Sequence, residues 1–290
     1  MIVLLMVFST LAFASTVAFR AWTRASRDFR PQRRRPVSWP SERPPVAGRI
    51  DVEVRSAAGD AIRGWFLPSR NRAAVVFVHG RSADRRQLLG EAVSLHALGY
   101  GALVYDEPGC GDSDGVVKWG QPERDALEAV VEWLRDGAGV ARIGVFGFSK
   151  GSYVAVQVAS GHPDVAAVVL AGAVASFPDQ TRHEFRRYGL LSQWPALKAR
   201  EQGGFVPTDP QPEQLIGNLT RPLLLISGEF DEVVPLSQSD RLYRAARDPK
   251  TWWVVPGARH GDYAQVAPDY LARVSTFYDR ALLGHAGMSA

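Results

Sequence analysis

A serine can attack a carbonyl carbon only if a neighbouring base takes its proton. That base in turn needs a third group to orient it and balance its charge. The sequence offers a residue for each role. Ser149 lies in Gly147-Phe148-Ser149-Lys150-Gly151, a G-x-S-x-G pattern. Asp231 lies in Gly228-Glu229-Phe230-Asp231-Glu232-Val233-Val234-Pro235, and His260 in Ala258-Arg259-His260-Gly261-Asp262. Together they would perform nucleophilic acyl transfer with neither cofactor nor metal. Glycine and serine are common residues, so the pattern around Ser149 carries little weight alone. What matters is whether the chain can bring the three segments together.

The elements around them answer that. Ile143, Val145 and Phe146 read as a buried strand running into the serine turn, and Tyr153–Ala159 as the helix leaving it. Glycines at 147 and 151 remove the Cβ atoms that such a sharp turn would crowd. Asp231 follows an apolar strand at Pro222–Ile226, and His260 follows another at Trp252–Val255. In an open parallel sheet, residues just past the strand C-termini converge on one edge. Upstream, Ile50, Val52 and Val54 alternate with polar residues, as do Ile62 and Trp65 after an Ala-Gly-Asp turn, which reads as an antiparallel hairpin. Ala74–Val78, Ala102–Tyr105 and Val165–Leu170 are further apolar strands. Arg86–Leu98, Glu123–Leu134, Ser237–Arg247 and Ala264–Leu283 read as helices. This alternation predicts an α/β fold: a mostly parallel twisted sheet of about eight strands with helices on both faces.

Five segments in order carry a resemblance. His79-Gly80 follows the third strand, and Asp106 through Gly115 fits D-x-x-G-x-G-x-S-x-G. Gly147–Gly151 is the nucleophile turn, Gly228–Pro235 fits G-x-x-D-x-x-V-P, and His260-Gly261 comes late. From about Gly48 to Leu283 the chain resembles the α/β-hydrolase superfamily. It is most similar to the lipase, esterase, thioesterase and peptidase-like hydrolases with a short lid, membrane-anchored members included. The resemblance implies the triad Ser149, Asp231 and His260, and an oxyanion hole made by the backbone amides of Arg81 and Lys150. Two preorganised amides aimed at a developing negative oxygen lower an acyl-transfer barrier by a few kcal/mol. The chain departs from the common pattern at Pro108, where arginine is frequent, and at Lys150, where an apolar residue or glutamine is usual. A Lys150 ammonium in the pocket would favour anionic acyl groups; the reaction itself needs only the amide, and the side chain is expected to point away.

Other readings stand beside these. Glu229 and Glu232 rival Asp231 as the acid, Asp262 is a further partner for a histidine, and Asp231 itself could cap the helix that follows. His79 fits a structural role under the hole, and Asp106 and Asp112 fit organisers of their glycine-rich turn. Cys110 has no nearby base to make it a thiolate and reads as a packed thiol. As the single cysteine it excludes an intrachain disulfide framework.

The 290 residues carry a formal net charge of +4, unevenly placed. Residues 1–49 hold nine arginines and two acids, leaving a slightly acidic body, so the basic balance gives no argument for nucleic acid. Met1–Phe19 has no charged side chain and is long enough, as a helix, to cross a bilayer. Positive charge only after the apolar run favours an uncleaved anchor with the domain in the cytoplasm. The competing reading is a signal peptide cleaved at Ala12-Phe13-Ala14, giving a secreted or periplasmic protein. Arg30–Pro45 reads as an extended linker. The domain plan is therefore an apolar segment at 1–19, an Arg/Pro-rich linker at 20–47 and a hydrolase domain at 48–290. Residues 173–220 lack clear regularity and carry Phe177, Phe185, Tyr188, Trp194 and Phe205, the composition of a short lid. The expected activity is hydrolysis of an ester or thioester in a small-molecule or lipid-like substrate. Alternatives are amide or peptide cleavage and a membrane-associated acyl-binding role without catalysis.

Overall fold

The structure is a computed structural model describing residues 2–30 and 36–284; part of the 20–47 segment and the last six residues lie outside the described residues. Eight strands form one sheet in the order β1-β2-β4-β3-β5-β6-β7-β8. β1 (Ile50–Arg55) and β2 (Ala61–Leu67) make the expected hairpin, and β2 pairs antiparallel with β4 (Gly101–Tyr105). From β4 onward, β3 (Ala73–Val78), β5 (Arg142–Phe148), β6 (Val165–Ala171), β7 (Leu223–Gly228) and β8 (Lys250–Val255) are all parallel.

The side-chain pattern explains the layers. β3 and β4 are buried along their whole length, as continuous apolar runs demand when helices cover both faces, whereas edge strand β1 alternates exposed and buried residues. One face is covered by α3 (Gln121–Gly137), α4 (Lys150–Ala159) and α8 (Leu236–Ala245), and the other by α2 (Leu89–Ala97) and α10 (Tyr270–Tyr278). On α3, Ala126, Leu127, Val130, Val131 and Leu134 are all buried, at the spacing that puts them on one face. Each large side chain withdrawn from water this way contributes about 1.5–3 kcal/mol. The helix expected over Ala264–Leu283 is broken into α9 (Tyr263–Val266) and α10, because Pro268 cannot continue a helical hydrogen-bond ladder.

The irregular-looking 173–220 region is largely helical. It forms α5 (Phe177–Phe185), α6 (Leu190–Gly203) and the short α7 (Pro212–Leu215). Ser176 caps α5 by accepting the Asp179 amide at 3.3 Å. The signal was obscured by Pro195 inside α6 and by Arg200, a charged residue that is buried rather than solvent-facing.

The apolar N-terminus forms α1 (Ile2–Ser26), followed by a 3₁₀ turn at Arg27–Phe29. The stretch Leu5–Phe29 is long and apolar enough to cross a membrane, and only 6% of its most apolar part is buried. The helix runs on past Phe19, and its last turns pack against α5 and α6: Ala21 and Ala25 are buried with Phe185, Ala196 and Ala199.

Candidate active site

β5 ends at Phe148, α4 begins at Lys150, and Ser149 sits between them at φ 52° and ψ −114°. A positive φ on a non-glycine residue is strained, and the neighbours must allow it. A Cβ on Gly147 would lie 2.5 Å from the Gly151 carbonyl oxygen, and one on Gly151 would lie 2.1 Å from that of Val78. Only glycine fits at either place. The Ser149 amide donates to the Ala171 carbonyl at 2.9 Å. The Ser152 hydroxyl donates to the Ser149 carbonyl at 2.6 Å and accepts the Val174 amide at 3.1 Å, so the turn is pinned to the end of β6.

The loop after β7 holds Asp231. Its Oδ1 accepts the amides of Val233 and Val234 at 2.9 and 2.8 Å, and its Oδ2 accepts from His260 Nδ1 at 2.7 Å. The Asp231 side chain is 1% exposed and that of His260 15%. In a neutral imidazole this bond puts the proton on Nδ1 and leaves Nε2 as the free base. The ring packs on Phe148 at 4.9 Å between centroids and lies over Gly172, where a Cβ would come within 2.8 Å of His260 Cε1. Thus the C-terminal end of β6 and the residue after it touch both partners: Ala171 binds the Ser149 backbone and Gly172 faces the imidazole.

The rival acids are engaged elsewhere. Glu229 accepts the Gly257 amide and Asp262 accepts the Arg259 amide, at 2.9 and 2.6 Å, while Glu232 follows Asp231 into the solvent-facing part of the loop.

Lys150 is the second residue where the sequence left a choice. Its side chain is 1% exposed and its ammonium lies under the turn, 2.7 Å from Glu107 and 3.1 Å from Glu123. Burial works against its charge, but Glu107 and Glu123 prevail and raise its pKa above the ordinary lysine value. The ammonium is therefore not offered to a substrate, and the amide, at the first position of α4, has no partner within the helix. Arg81, the other expected oxyanion residue, sends its guanidinium to Asp28 and Glu184, at 3.0 Å each.

His79 is fully buried. Its Nδ1 bonds the Gly80 carbonyl at 2.8 Å and its Nε2 accepts the Glu107 amide at 3.0 Å; burial lowers its pKa and keeps it neutral. Asp106 accepts the amides of Arg85 and Asp112, at 2.7 and 2.9 Å, and ties two loops together. Burial pushes the Cys110 thiol up to about 12, well away from a reactive thiolate. A cleft of about 1130 Å³ lies between Pro222–Leu224, Asp248–Thr251 and α10, at the strand N-termini. That is the far end of the sheet from Ser149.

Residues 65–265 match the X-Pro dipeptidyl-peptidase (S15) family. The chain belongs to this family of α/β hydrolases. It is 32% identical to an uncharacterized protein of Mycobacterium tuberculosis over 80% of this chain and 81% of the other. It is 26% identical to alpha/beta hydrolase domain-containing protein 17B of Homo sapiens, over 79% of this chain and 75% of that one. Its fold superposes on an esterase of Pyrococcus furiosus with a TM-score of 0.73, at 23% identity, covering 87% of this chain and 98% of the esterase. The protein is a hydrolase of the α/β fold.

Sequence reasoning missed several residues around the site. Glu107 and Glu123 were not singled out because buried acids look like surface acids in a sequence. Tyr263, whose hydroxyl would lie 3.2 Å from a Cβ on Gly172, sits beside the imidazole, and burial, reinforced by the Asp231 charge, raises its pKa. Asp28 and Arg200 were missed for the same reason as the glutamates.

Proposed function

We propose that this S15-family α/β hydrolase cleaves carboxylic esters or thioesters through a covalent acyl-enzyme. The observation that carries the reading is the 2.7 Å bond from His260 to a doubly amide-anchored Asp231, at the strand edge where Ser149 is held in its strained turn. Ser149 Oγ attacks the carbonyl carbon while His260 Nε2 takes its proton, and Asp231 stabilises the imidazolium. The oxyanion is received by the amides of Lys150 and Arg81. As the tetrahedral intermediate collapses, His260 gives the proton to the departing alkoxide or thiolate. Water then repeats the cycle on the acyl-serine, releasing the carboxylic acid and restoring the serine.

The family match favours a second reading, peptide hydrolysis, which the same three residues could perform. The charge near the site speaks for the ester. The cleft beside Arg81, Glu232 and Val233 is lined by Arg24, Arg186 and Arg187, which would repel a peptide's free amino terminus. The apolar stretch of α1 supports attachment to a membrane by an uncleaved helix, with acyl substrates drawn from the bilayer.

Labelling with a fluorophosphonate probe tests the chemistry. Wild type should label and Ser149→Ala should not. A panel of p-nitrophenyl esters, acyl thioesters and X-Pro amides then separates the two readings: faster turnover of the amides than of matched esters would reject ester cleavage as the main activity.

A further inference from the structure

The lid carries an apolar surface that the fold leaves uncovered. On α6, Leu190 and Trp194 are 82% and 67% exposed, and Leu191 lies exposed between them, one turn of a single helix face. The opposite face, with Ala196, Ala199 and Arg200, is buried. Tyr188, in the turn just before α6, is also exposed. Soluble surfaces seldom gather large apolar side chains in this way, and such a patch marks an interaction site.

Its surroundings say what it meets. A slot of about 290 Å³ separates the lid from α1, walled by Val17, Ala21, Phe185 and Tyr188, with Arg20 and Arg24 at its edge. Tyr188 of the patch thus shares this slot with Val17 and Ala21 of α1, and toward its N-terminus α1 exposes Leu5, Phe8, Leu11 and Phe13. Arg24 also lines the next cleft, of about 490 Å³, together with Arg186, Arg187 and His183. Among the described residues, no carboxylate pairs with Arg20, Arg24, Arg186 or Arg187. Of the two acids lining that cleft, Glu184 is taken by Arg81 and Arg200, and only Glu232 remains. Arg24 and Arg187 lie over the Tyr188 ring at 6.0 and 4.9 Å. Aromatic rings and arginines side by side, just past the charge-free stretch of α1 that ends at Phe19, are the arrangement found at a bilayer's head-group layer.

We propose that the lid lies on an anionic bilayer surface beside α1. Tyr188, Leu190, Leu191 and Trp194 enter the upper acyl region, and Arg20, Arg24, Arg186 and Arg187 meet lipid phosphates. This rests on α1 being a membrane helix, and it gives the partner of the lid as a lipid surface of negative charge. The basic cleft beside the Asp231 loop would then open toward the head groups.

The test uses the full chain in nanodiscs of phosphatidylcholine alone or with phosphatidylglycerol. Bromine-labelled lipids quench nearby tryptophan, and the difference between wild type and Trp194→Phe isolates Trp194. The expected result is quenching of Trp194, stronger in the anionic discs. Arg186→Gln with Arg187→Gln should bring it back to the phosphatidylcholine level, with a loss of lid–bilayer affinity of about fivefold per arginine. No quenching of Trp194 in either disc would overturn the proposal. So would loss of the anionic-lipid effect on adding inorganic phosphate, which would make the cleft a free-anion site. Because Trp194→Phe could disturb the lid, acrylamide quenching of the double arginine variant gives an independent measure: it should rise in anionic discs as the lid lifts, and an unchanged value counts against the proposal. Flotation of the chain with lipid reports separately whether α1 is inserted, and turnover of p-nitrophenyl butyrate reports separately on ester cleavage.

Discussion

Arg200, fully buried on α6, donates to Asp28 in the 3₁₀ turn after the N-terminal helix at 2.5 Å. The same guanidinium reaches Glu184 at 2.6 Å, and Arg81 bridges the same two carboxylates at 3.0 Å. Two cations and two anions thus join the N-terminal segment, α5, α6 and the loop whose amide is proposed to bind the oxyanion. Burial opposes the charge on Glu184, but Arg200 and Arg81 hold its pKa down to about 2. Asp28→Ala would leave one buried guanidinium charge without its partner, at a cost of roughly 3 kcal/mol. The expected outcome is a lower unfolding midpoint and faster amide exchange across α5 and α6. Asp28→Glu should recover part of both. Full protection of the lid in Asp28→Ala would show that the cluster does not hold it.

The position facing the imidazole makes a narrower prediction. Gly172 has φ +58°, and a Cβ there would lie 2.8 Å from His260 Cε1 and 3.1 Å from Nδ1. Gly172→Ala should push the ring off Asp231 while leaving the sheet intact, since Gly172 lies just beyond β6. A displacement near 1 Å at such a group typically costs about 10²-fold in rate. The check is kcat on a p-nitrophenyl ester alongside the far-UV spectrum. A variant that turns over normally would mean that the imidazole does not work from this position.

The sheet and the edge of the proposed triad were legible because both are written in local pattern. Apolar runs such as Ala74–Val78 can only be interior strands of a covered sheet, and glycines at 147 and 151 announce a turn that no other residue permits. The helices of the 173–220 region were not legible. They are interrupted by Pro195 and stabilised by Arg200 and Glu184, whose partners lie on Arg81 and Asp28, more than a hundred residues away in sequence. A buried charge leaves no periodic trace, because its partner rather than its neighbours explains it. The run-on of α1 to Ser26 was hidden similarly, by arginines that read as a linker yet flank the small residues Ala21 and Ala25 facing the lid.

The His260–Asp231 bond predicts a specific kind of loss. Asp231→Asn keeps the size of the side chain, and its amide nitrogen or oxygen can still occupy the loop. It presents a neutral group to Nδ1, so the imidazolium formed as Ser149 attacks is no longer stabilised. In triads built this way the fall in kcat is roughly 10⁴-fold. Fluorophosphonate labelling should slow by a comparable factor yet still depend on Ser149. If Glu232→Gln rather than Asp231→Asn produced the loss, the acid would have been assigned to the wrong residue of the loop.

Beneath the serine turn, Glu107 predicts how stability varies with pH. Burial, the largest cause, together with the Glu123 charge, pushes its carboxyl up from 4.5 to about 7, against the pull of Lys150. The folded-state value is raised, so the folded protein binds a proton here that the unfolded chain has released. This group's contribution is fully present below about pH 4.5 and is lost as pH rises through 7, a change of roughly 3 kcal/mol at most. Glu184 gives the opposite slope in a different window: its value is lowered to about 2, so its contribution is lost as pH falls from about 4.5 to 2. Glu107→Gln removes the first of these without removing an acceptor for Lys150. Urea midpoints measured at about pH 5 and about pH 7.5 should therefore lie closer together in Glu107→Gln than in wild type. An equal spacing in the two proteins would place the Glu107 proton release outside this range and remove the buried glutamate as the cause.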